Sequence, residues 1–322
     1  MAAAAATAIY MDLRLFAQQP AVTSATAKTF EVESGQGLHQ ISRRLADAGL
    51  IRDAKKFTLL ARIQGQETAI QAGEYELSAA MPPAAILRDM INGRVRLHRL
   101  TVPEGFSVRQ IADLVAKAGY ATSEDFLTEC REPRFLSTLN IPGKSCEGYL
   151  FPDTYYFPAS ATPIQIVTAM VNRFWERFPD TWKTRASEIG LSVHEAVTLA
   201  AIIEKETGAP FERPVISSVF HNRLKRRMRL QTDPTVIYGI SDFDGNLTRK
   251  HLNTPTPYNT YIIRGLPPGP IANPGSAAIE AALYPADTDY LYFVSKKDAT
   301  HHFSTTIAEH NRAVRKYQLR RR

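Results

Sequence analysis

Residues 32–50 and 102–120 align without a gap at a constant offset of 70. Val32, Gly35, Gln40, Ile41, Ala46, Ala48 and Gly49 in the first copy match Val102, Gly105, Gln110, Ile111, Ala116, Ala118 and Gly119 in the second. A pattern repeated this closely commits both segments to one local structure. Each copy predicts a short strand, a glycine turn and an amphipathic helix closed by a glycine past its last turn. Leu38, Ile41, Leu45 and Ala48 recur at helical spacing in the first copy, and Val108, Ile111, Leu114 and Val115 do so in the second. Between them, Tyr75 and Leu77 mark a strand, Pro82 and Pro83 a turn, and Ile86, Met90 and Ile91 another short helix.

The rest of the chain punctuates itself with caps and turns. Residues 17–29 are small and polar and read as a linker. From Pro163 to Phe178 the residues Ile166, Val167, Met170, Val171, Phe174 and Phe178 form an apolar helical side. Ser192 and Glu195 make a capping box that opens a further helix. Val215, Val219 and Leu224 predict an inward helix face, Met228 to Leu230 a short strand, Ser276 to Leu283 a helix and Leu291 to Val294 a strand. No single period dominates, so the fold class is α+β. The expected division is an N-terminal segment and linker over 1–27, a small module over 28–98, a second small α/β unit and connector over 99–160, and a larger domain over 161–322. Strand–helix–helix–strand units such as 28–98 resemble LysM modules, which bind N-acetylglucosamine polymers; a generic αβ packing unit fits the same pattern.

Composition excludes several classes. The formal charge of +7 gathers at Arg223, Lys225, Arg226, Arg227 and Arg229 and at the tail 320–322. These clusters suit a solvated helix face and a frayed end, or attraction to an anionic polymer or membrane surface. No zinc-finger spacing or RNP-like aromatic motif accompanies them, so nucleic acid is not an expected partner. Cys130 and Cys146 lack metal-site spacing and cannot staple a chain of 322 residues. His302 and His310, eight apart, are a poor ligand pair on one helix, and neither metal nor cofactor is expected. The start is apolar for only eleven residues before Asp12 and Arg14, short of the roughly 20 that a spanning helix needs. It fits either the surviving end of a membrane anchor or a disordered alanine-rich leader.

One stretch concentrates the chemistry. From Ala196 to Ile203 the helix opened by Ser192 is apolar except for Thr198, and Glu204 follows directly above the small residues Ala200 and Ala201. A carboxyl at the buried end of an apolar helix is desolvated, which favours its protonated form. Glu206, two residues on, points about 200° around the helix and cannot share one pocket with Glu204. A plain polar helix end at Glu204-Lys205-Glu206 is the competing reading. Further on, Asp233-Pro234 reads as an N-cap followed by proline at the first helical position. Tyr258, Asn259 and Tyr261 alternate tyrosine with polar turn formers, a composition suited to sugar faces and hydroxyls.

Several runs, in order, resemble the endolytic murein transglycosylases, the MltG or YceG-like family: Glu147-Gly-Tyr-Leu-Phe-Pro-Asp153, Glu204-Lys-Glu-Thr207, Met228-Arg-Leu-Gln-Thr-Asp-Pro-Thr-Val-Ile-Tyr-Gly239, Tyr258-Asn-Thr-Tyr261, Gly265-Leu-Pro-Pro-Gly269, Leu291-Tyr-Phe-Val294, His302-Phe303 and His310-Asn311. The likeness covers nearly everything from about Lys28 onward. It implies a LysM-like N-terminal region before an α+β catalytic domain, an anchor at the inner membrane with the enzyme facing the periplasm, and Glu204 as catalytic acid and base. Gln231, Thr232, Asp233, Tyr238, Tyr258, Asn259 and Tyr261 are then expected to orient the substrate. Peptidoglycan glycan strands are the expected substrate, and peptidoglycan polymerases the expected neighbours. The family's full transmembrane helix is the one feature from which this start departs. Two rival readings share the substrate: a hydrolytic muramidase in which Asp233 or Glu212 positions water, and a glycan-binding scaffold whose glutamate is inert.

Overall fold

The computed structural model describes residues 2–206 and 209–319; Thr207, Gly208 and the basic tail 320–322 lie outside the described residues. The chain divides into two compact units, Met1–Arg99 with Tyr156–Ala161, and Leu100–Tyr155 with Thr162–Arg322. The segment 99–160 therefore does not stand alone: most of it belongs to the second unit.

The first unit runs α1 (Ala2–Gln18), β1 (Lys28–Val32), α2 (Leu38–Asp47), α3 (Ala54–Ile63), β2 (Gly73–Leu77) and α4 (Pro83–Ile91). Strands β1 and β2 pair antiparallel with Phe30 opposite Tyr75 and Val32 opposite Gly73. Alternation along each strand sends Phe30, Val32, Tyr75 and Leu77 to one face. There they meet Ile41 and Leu45 from α2, Phe57 from α3, and Ile86 and Met90 from α4 in one core. Helix α2 ends in a Schellman closure: Gly49, at φ 67, donates to Ala46 O at 2.8 Å and Leu50 to Leu45 O at 2.9 Å. Asp53 caps α3 through the amides of Lys55 and Lys56 at 2.8 and 3.0 Å. The buried Tyr75 hydroxyl is satisfied by Gln71 O and Met90 O at 2.6 and 3.0 Å.

The alanine-rich start is helical. Leu13, Phe16 and Ala17 of α1 join the core, and Asp12 pairs with Lys56 at 2.7 Å. Ile9, Tyr10, Met11 and Leu15 remain exposed. The expected linker is thus shorter at both ends, since Ala17 and Gln18 close α1 while Lys28 and Thr29 open β1. No single described helix is long and apolar enough to cross a membrane.

Strands β3 (Leu97–Thr101) and β4 (Thr154–Pro158) pair with each other, and the division between the units passes through both. The second unit continues with α5 (Val108–Lys117), α6 (Ser123–Glu129), α7 (Pro133–Thr138), α8 (Pro163–Arg177), α9 (Asp180–Glu188), α10 (Val193–Glu206), α11 (Arg213–Lys225), α12 (Asp233–Tyr238), α13 (Arg249–Asn253) and α14 (Ser276–Leu283). The antiparallel hairpin β5 (Tyr292–Ser295) and β6 (His301–Ser304) and helix α15 (Ile307–Val314) complete it. Helix α10 is its axis. Ser192 and Glu195 form the expected capping box, and every residue from Ala196 to Ile203 is at most 1% exposed. Helix α5 closes like α2, with Gly119 donating to Ala116 O at 3.0 Å and Tyr120 to Val115 O at 3.3 Å.

Three local expectations are corrected. Helix α11 buries Ile216, Val219 and Phe220, and leaves Val215 and Leu224 half-buried, because its inward face is rotated by one residue. Met228 to Leu230 forms no strand. Arg223 is not part of a solvated basic face. It is 7% exposed and donates to Leu291 O at 2.7 Å and Leu230 O at 2.6 Å, tying α11 to the start of β5.

Leu45 is completely buried between α2 and the strands. Leu45→Ala is expected to cost about 2–5 kcal/mol of stability, read by urea unfolding, whereas Ile9→Ala on the exposed side of α1 stays within about 0.5 kcal/mol. Equal effects would contradict this core.

Candidate active site

The last turn of α10 sends three consecutive side chains in three directions. Glu204 Oε1 accepts from Arg213 Nη2 at 3.1 Å, and Oε2 accepts from the backbone N–H of Gly275 at 3.0 Å. Lys205 reaches back to the carbonyl of Gly105 at 3.3 Å. Glu206 turns to the opposite side, where the Thr232 hydroxyl donates to it. The two carboxylates do part as helical geometry requires, and Glu206 meets a neighbouring loop.

Glu204 is not in a dry apolar pocket. Its side chain is only 7% exposed, yet what lies against the carboxylate is a guanidinium and a backbone N–H at the start of α14. Glu104 adds a second carboxylate. It is half exposed, lies 3.8 Å from the same Arg213 nitrogen, and is raised from the ordinary glutamate range first by burial and then by the charge of Glu204, with Arg213 opposing. A Cβ at position 275 would meet the Glu104 carboxylate, so a larger residue there would make that half-exposed side chain move away.

Glu147 is strongly desolvated. Burial pushes its carboxyl up to about 7, while donors from the Tyr238 hydroxyl and the Val108 amide pull the other way. Its oxygens accept from Val108 N at 3.0 and 3.2 Å, Asn273 Nδ2 at 3.1 Å and Tyr238 Oη at 3.0 Å. Glu147 stands on the wall of a cavity of about 760 Å³ that Gly105, Lys205 and Tyr238 also line. A side chain built on Gly105 would come within 3.5 Å of Glu204 Cγ, so this cavity adjoins Glu204.

The other residues singled out by sequence divide into two groups. Gln231 and Asp233 are exposed beside the end of α10, Gln231 in the left-handed region at φ 48. Asp233 is not the N-cap of α12. Thr232 holds that position, Asp233 opens the helix, and its carboxylate accepts from the Tyr261 hydroxyl at 2.6 Å. Tyr238 and Tyr258 are half-buried with ring centroids 4.8 Å apart. Burial raises both phenols and that of Tyr261 above the ordinary tyrosine range.

Thr232 and Asn259 are at most 2% exposed. The Asn259 amide donates to the carbonyls of His251, Leu252 and Thr254 at 3.2, 3.1 and 2.8 Å, which closes α13, and its oxygen accepts from Tyr261 N at 3.0 Å. Every polar atom of that side chain is spent on backbone, so Asn259 builds the loop rather than presenting itself to a ligand. Thr232 is bonded through its amide to Thr260 Oγ1 at 3.0 Å and through its hydroxyl to Glu206. Glu212 is likewise committed, accepting from His301 N at 3.0 Å and facing His301 Nδ1 at 2.7 Å.

Sequence reading passed over Glu104 and Arg213; it met Glu147 only as the first residue of a recognised run and Asn273 only as a turn former before a helix, and none of the four sits on a periodic pattern.

A family model described as the YceG-like family matches residues 30–316. An endolytic murein transglycosylase of Bacillus subtilis is 34% identical over 310 residues, covering 91% of this chain and 86% of that protein. One of Streptococcus pneumoniae is 30% identical over 320 residues, and the match covers 89% of this chain and 57% of that longer protein. A crystal structure of a YceG-like protein from Listeria monocytogenes superposes with a TM-score of 0.63 at 37% identity, covering 90% of this chain and 99% of that one.

The buried Glu147 sets a pH dependence. Its carboxyl ionises near 4.5 when unfolded and at about 7 when folded, so it favours the folded state fully below pH 4.5. That contribution, about 3 kcal/mol, is lost as the pH rises to 7. Glu147→Gln cannot ionise. Denaturant unfolding at stepped pH is expected to show the parent losing about 3 kcal/mol relative to the variant across this window; parallel profiles would remove Glu147 from the buried wall.

Proposed function

Because the chain belongs to the YceG-like family, we propose that it cleaves the β-1,4 bond between N-acetylmuramic acid and N-acetylglucosamine within peptidoglycan glycan strands, leaving 1,6-anhydro ends. The observation that carries this reading is Glu204: one carboxylate, fixed by Arg213 and Gly275 N–H at the end of a buried helix and beside a cavity.

Glycoside hydrolases that use water generally need two carboxyl groups on opposite sides of the bond. Intramolecular attack by the muramic acid C6 hydroxyl removes that need, since the nucleophile is already held by the sugar ring. Glu204 protonates the glycosidic oxygen as the bond breaks, then takes the proton of the C6 hydroxyl as the anhydro ring closes. Between these steps it is a carboxylate, and the two donors on its oxygens hold its orientation. Gln231 and Asp233, exposed beside the end of α10, and the tyrosine pair Tyr238 and Tyr258 are the proposed strand contacts; Thr232, Asn259 and Tyr261 hold the loops that carry them.

The reading extends to the rest of the chain. The order β1–α2–α3–β2 supports a LysM-like, glycan-binding role for the first unit. Family membership supports action at the periplasmic face of the inner membrane, next to the polymerases that make nascent strands.

Digestion of purified cell wall by the parent and by Glu204→Gln, read by mass spectrometry, tests the proposal. The parent is expected to release fragments with anhydro ends, and the variant to be slower by a factor of about 100 or more. Reducing ends from the parent would mark a hydrolase. Equal release by the variant would move catalysis off Glu204.

A further inference from the structure

The cavity beside Glu204 carries more positive charge than proton transfer at one glycosidic bond calls for. Arg109 in the first turn of α5, Arg131 just past α6 and Lys205 at the end of α10 all line it. Glu147 is the one carboxyl among the lining residues, and its oxygens are occupied by Val108, Asn273 and Tyr238. Among the described residues none of the three cations is in an ion pair; the carboxylates of this unit that pair with arginine take Arg173, Arg185 and Arg213 instead. Arg109 and Arg131 are exposed, so their guanidinium groups stay hydrated and available. The remaining wall includes apolar surface from Leu127 and Phe243. A volume of about 760 Å³ lies in the range of pockets that enclose a small ligand.

We propose that this cavity is a subsite for the carboxylate-bearing peptide branch that muramic acid carries on its lactyl ether. The inference rests on the glycan-cleavage reading, which brings a muramic acid to Glu204. Gly105 and Lys205 both line the cavity and both neighbour Glu204, so a branch on a sugar held at Glu204 is within reach of it. Planar guanidinium groups match carboxylates in a two-pronged geometry, and the apolar wall suits the aliphatic parts of a short peptide. The subsite selects strands that still bear their peptides over strands that have been stripped of them.

The double variant Arg109→Gln/Arg131→Gln and the parent are compared on two substrates: glycan strands with intact peptide branches, and the same strands stripped by an amidase. The ratio of kcat/KM for branched over stripped strands is expected to fall roughly tenfold in the variant; an unmoved ratio overturns the proposal. A second measurement needs no turnover. A soluble muramoyl tripeptide is titrated calorimetrically into Glu204→Gln with and without the two arginine changes, and its carboxamide analogue serves as control. Binding is expected to weaken roughly tenfold on losing either the arginines or the carboxylates. No binding, or binding indifferent to both, overturns the proposal. The double variant is checked for an unchanged thermal midpoint, and Arg109→Lys/Arg131→Lys is expected to restore part of the ratio. If the parent cleaves neither substrate, the glycan-cleavage reading fails, and the titration still decides the subsite.

Discussion

Asn273 uses every hydrogen-bonding group it has. Its backbone N–H donates to Phe106 O and its carbonyl accepts from Gly105 N, both at 2.9 Å. Its side-chain oxygen accepts from Leu150 N at 2.8 Å, and its amide donates to Phe106 O at 2.9 Å and to Glu147 Oε1 at 3.1 Å. The residue is fully buried, so each of these bonds forms where an unmade one would cost about 1–3 kcal/mol. Together they join three stretches far apart in sequence: the glycine turn before α5, the run that follows Cys146, and the entry to α14. Gly275, whose N–H meets Glu204, lies two residues beyond. One of the two donors that orient the proposed acid is thus placed by a buried polar network that Glu204 itself does not join; Arg213 is the other.

That network also explains how four glutamates within one unit can behave differently. Glu147 is inside the network, dry and held by neutral donors, and burial pushes its carboxyl up to about 7. Glu206 is raised too, by burial against α12, with Asp233 adding to the effect and the Thr232 hydroxyl opposing it. Glu104 is half in water and feels Glu204 across a shared arginine. Glu204 alone has both a cation and a helix-start N–H on its oxygens. Glu147 is as buried and as fixed and lines the cavity itself, so what sets Glu204 apart is the charged donor on its carboxylate. Side-chain type is the same in all four, and environment assigns the role.

Periodicity made the helices legible. The repeat gave α2 and α5 with their glycine closures, and the capping box gave the start of α10, because these are local effects written within a few residues. The burial of Glu204 at the end of that helix was legible for the same reason: eight nearly apolar positions lead straight to it. Its partners were not. Arg213 opens α11 between Glu212 and Pro214 with no pattern around it, and Asn273 precedes a proline as many turn residues do. Their importance comes from contacts across 9 to 167 positions, which no local pattern encodes. The same limit misread Asn259 and Thr232. A polar residue in a tyrosine-rich turn suits a sugar as well as it suits an orphaned carbonyl, and in this chain the carbonyls of α13 and the Glu206 carboxylate claimed them first.

The two copies of the repeat carry this point to its end. Gly35 and Gly105 hold nearly the same left-handed turn, at φ 83 and 74. Nothing lies within 4 Å of where a side chain on Gly35 would start, whereas one on Gly105 would face Glu204 and Lys205. The preceding residue is Ser34 in the first copy and Glu104 in the second. One local solution to the chain-reversal problem therefore serves twice, once as a plain connection over a small core and once as a wall of the candidate active site. What separates the two is the helix that packs beside the turn. In the second copy that helix is α10, whose last turn sets the stems of Glu204 and Lys205 beside a glycine that the left-handed turn itself calls for.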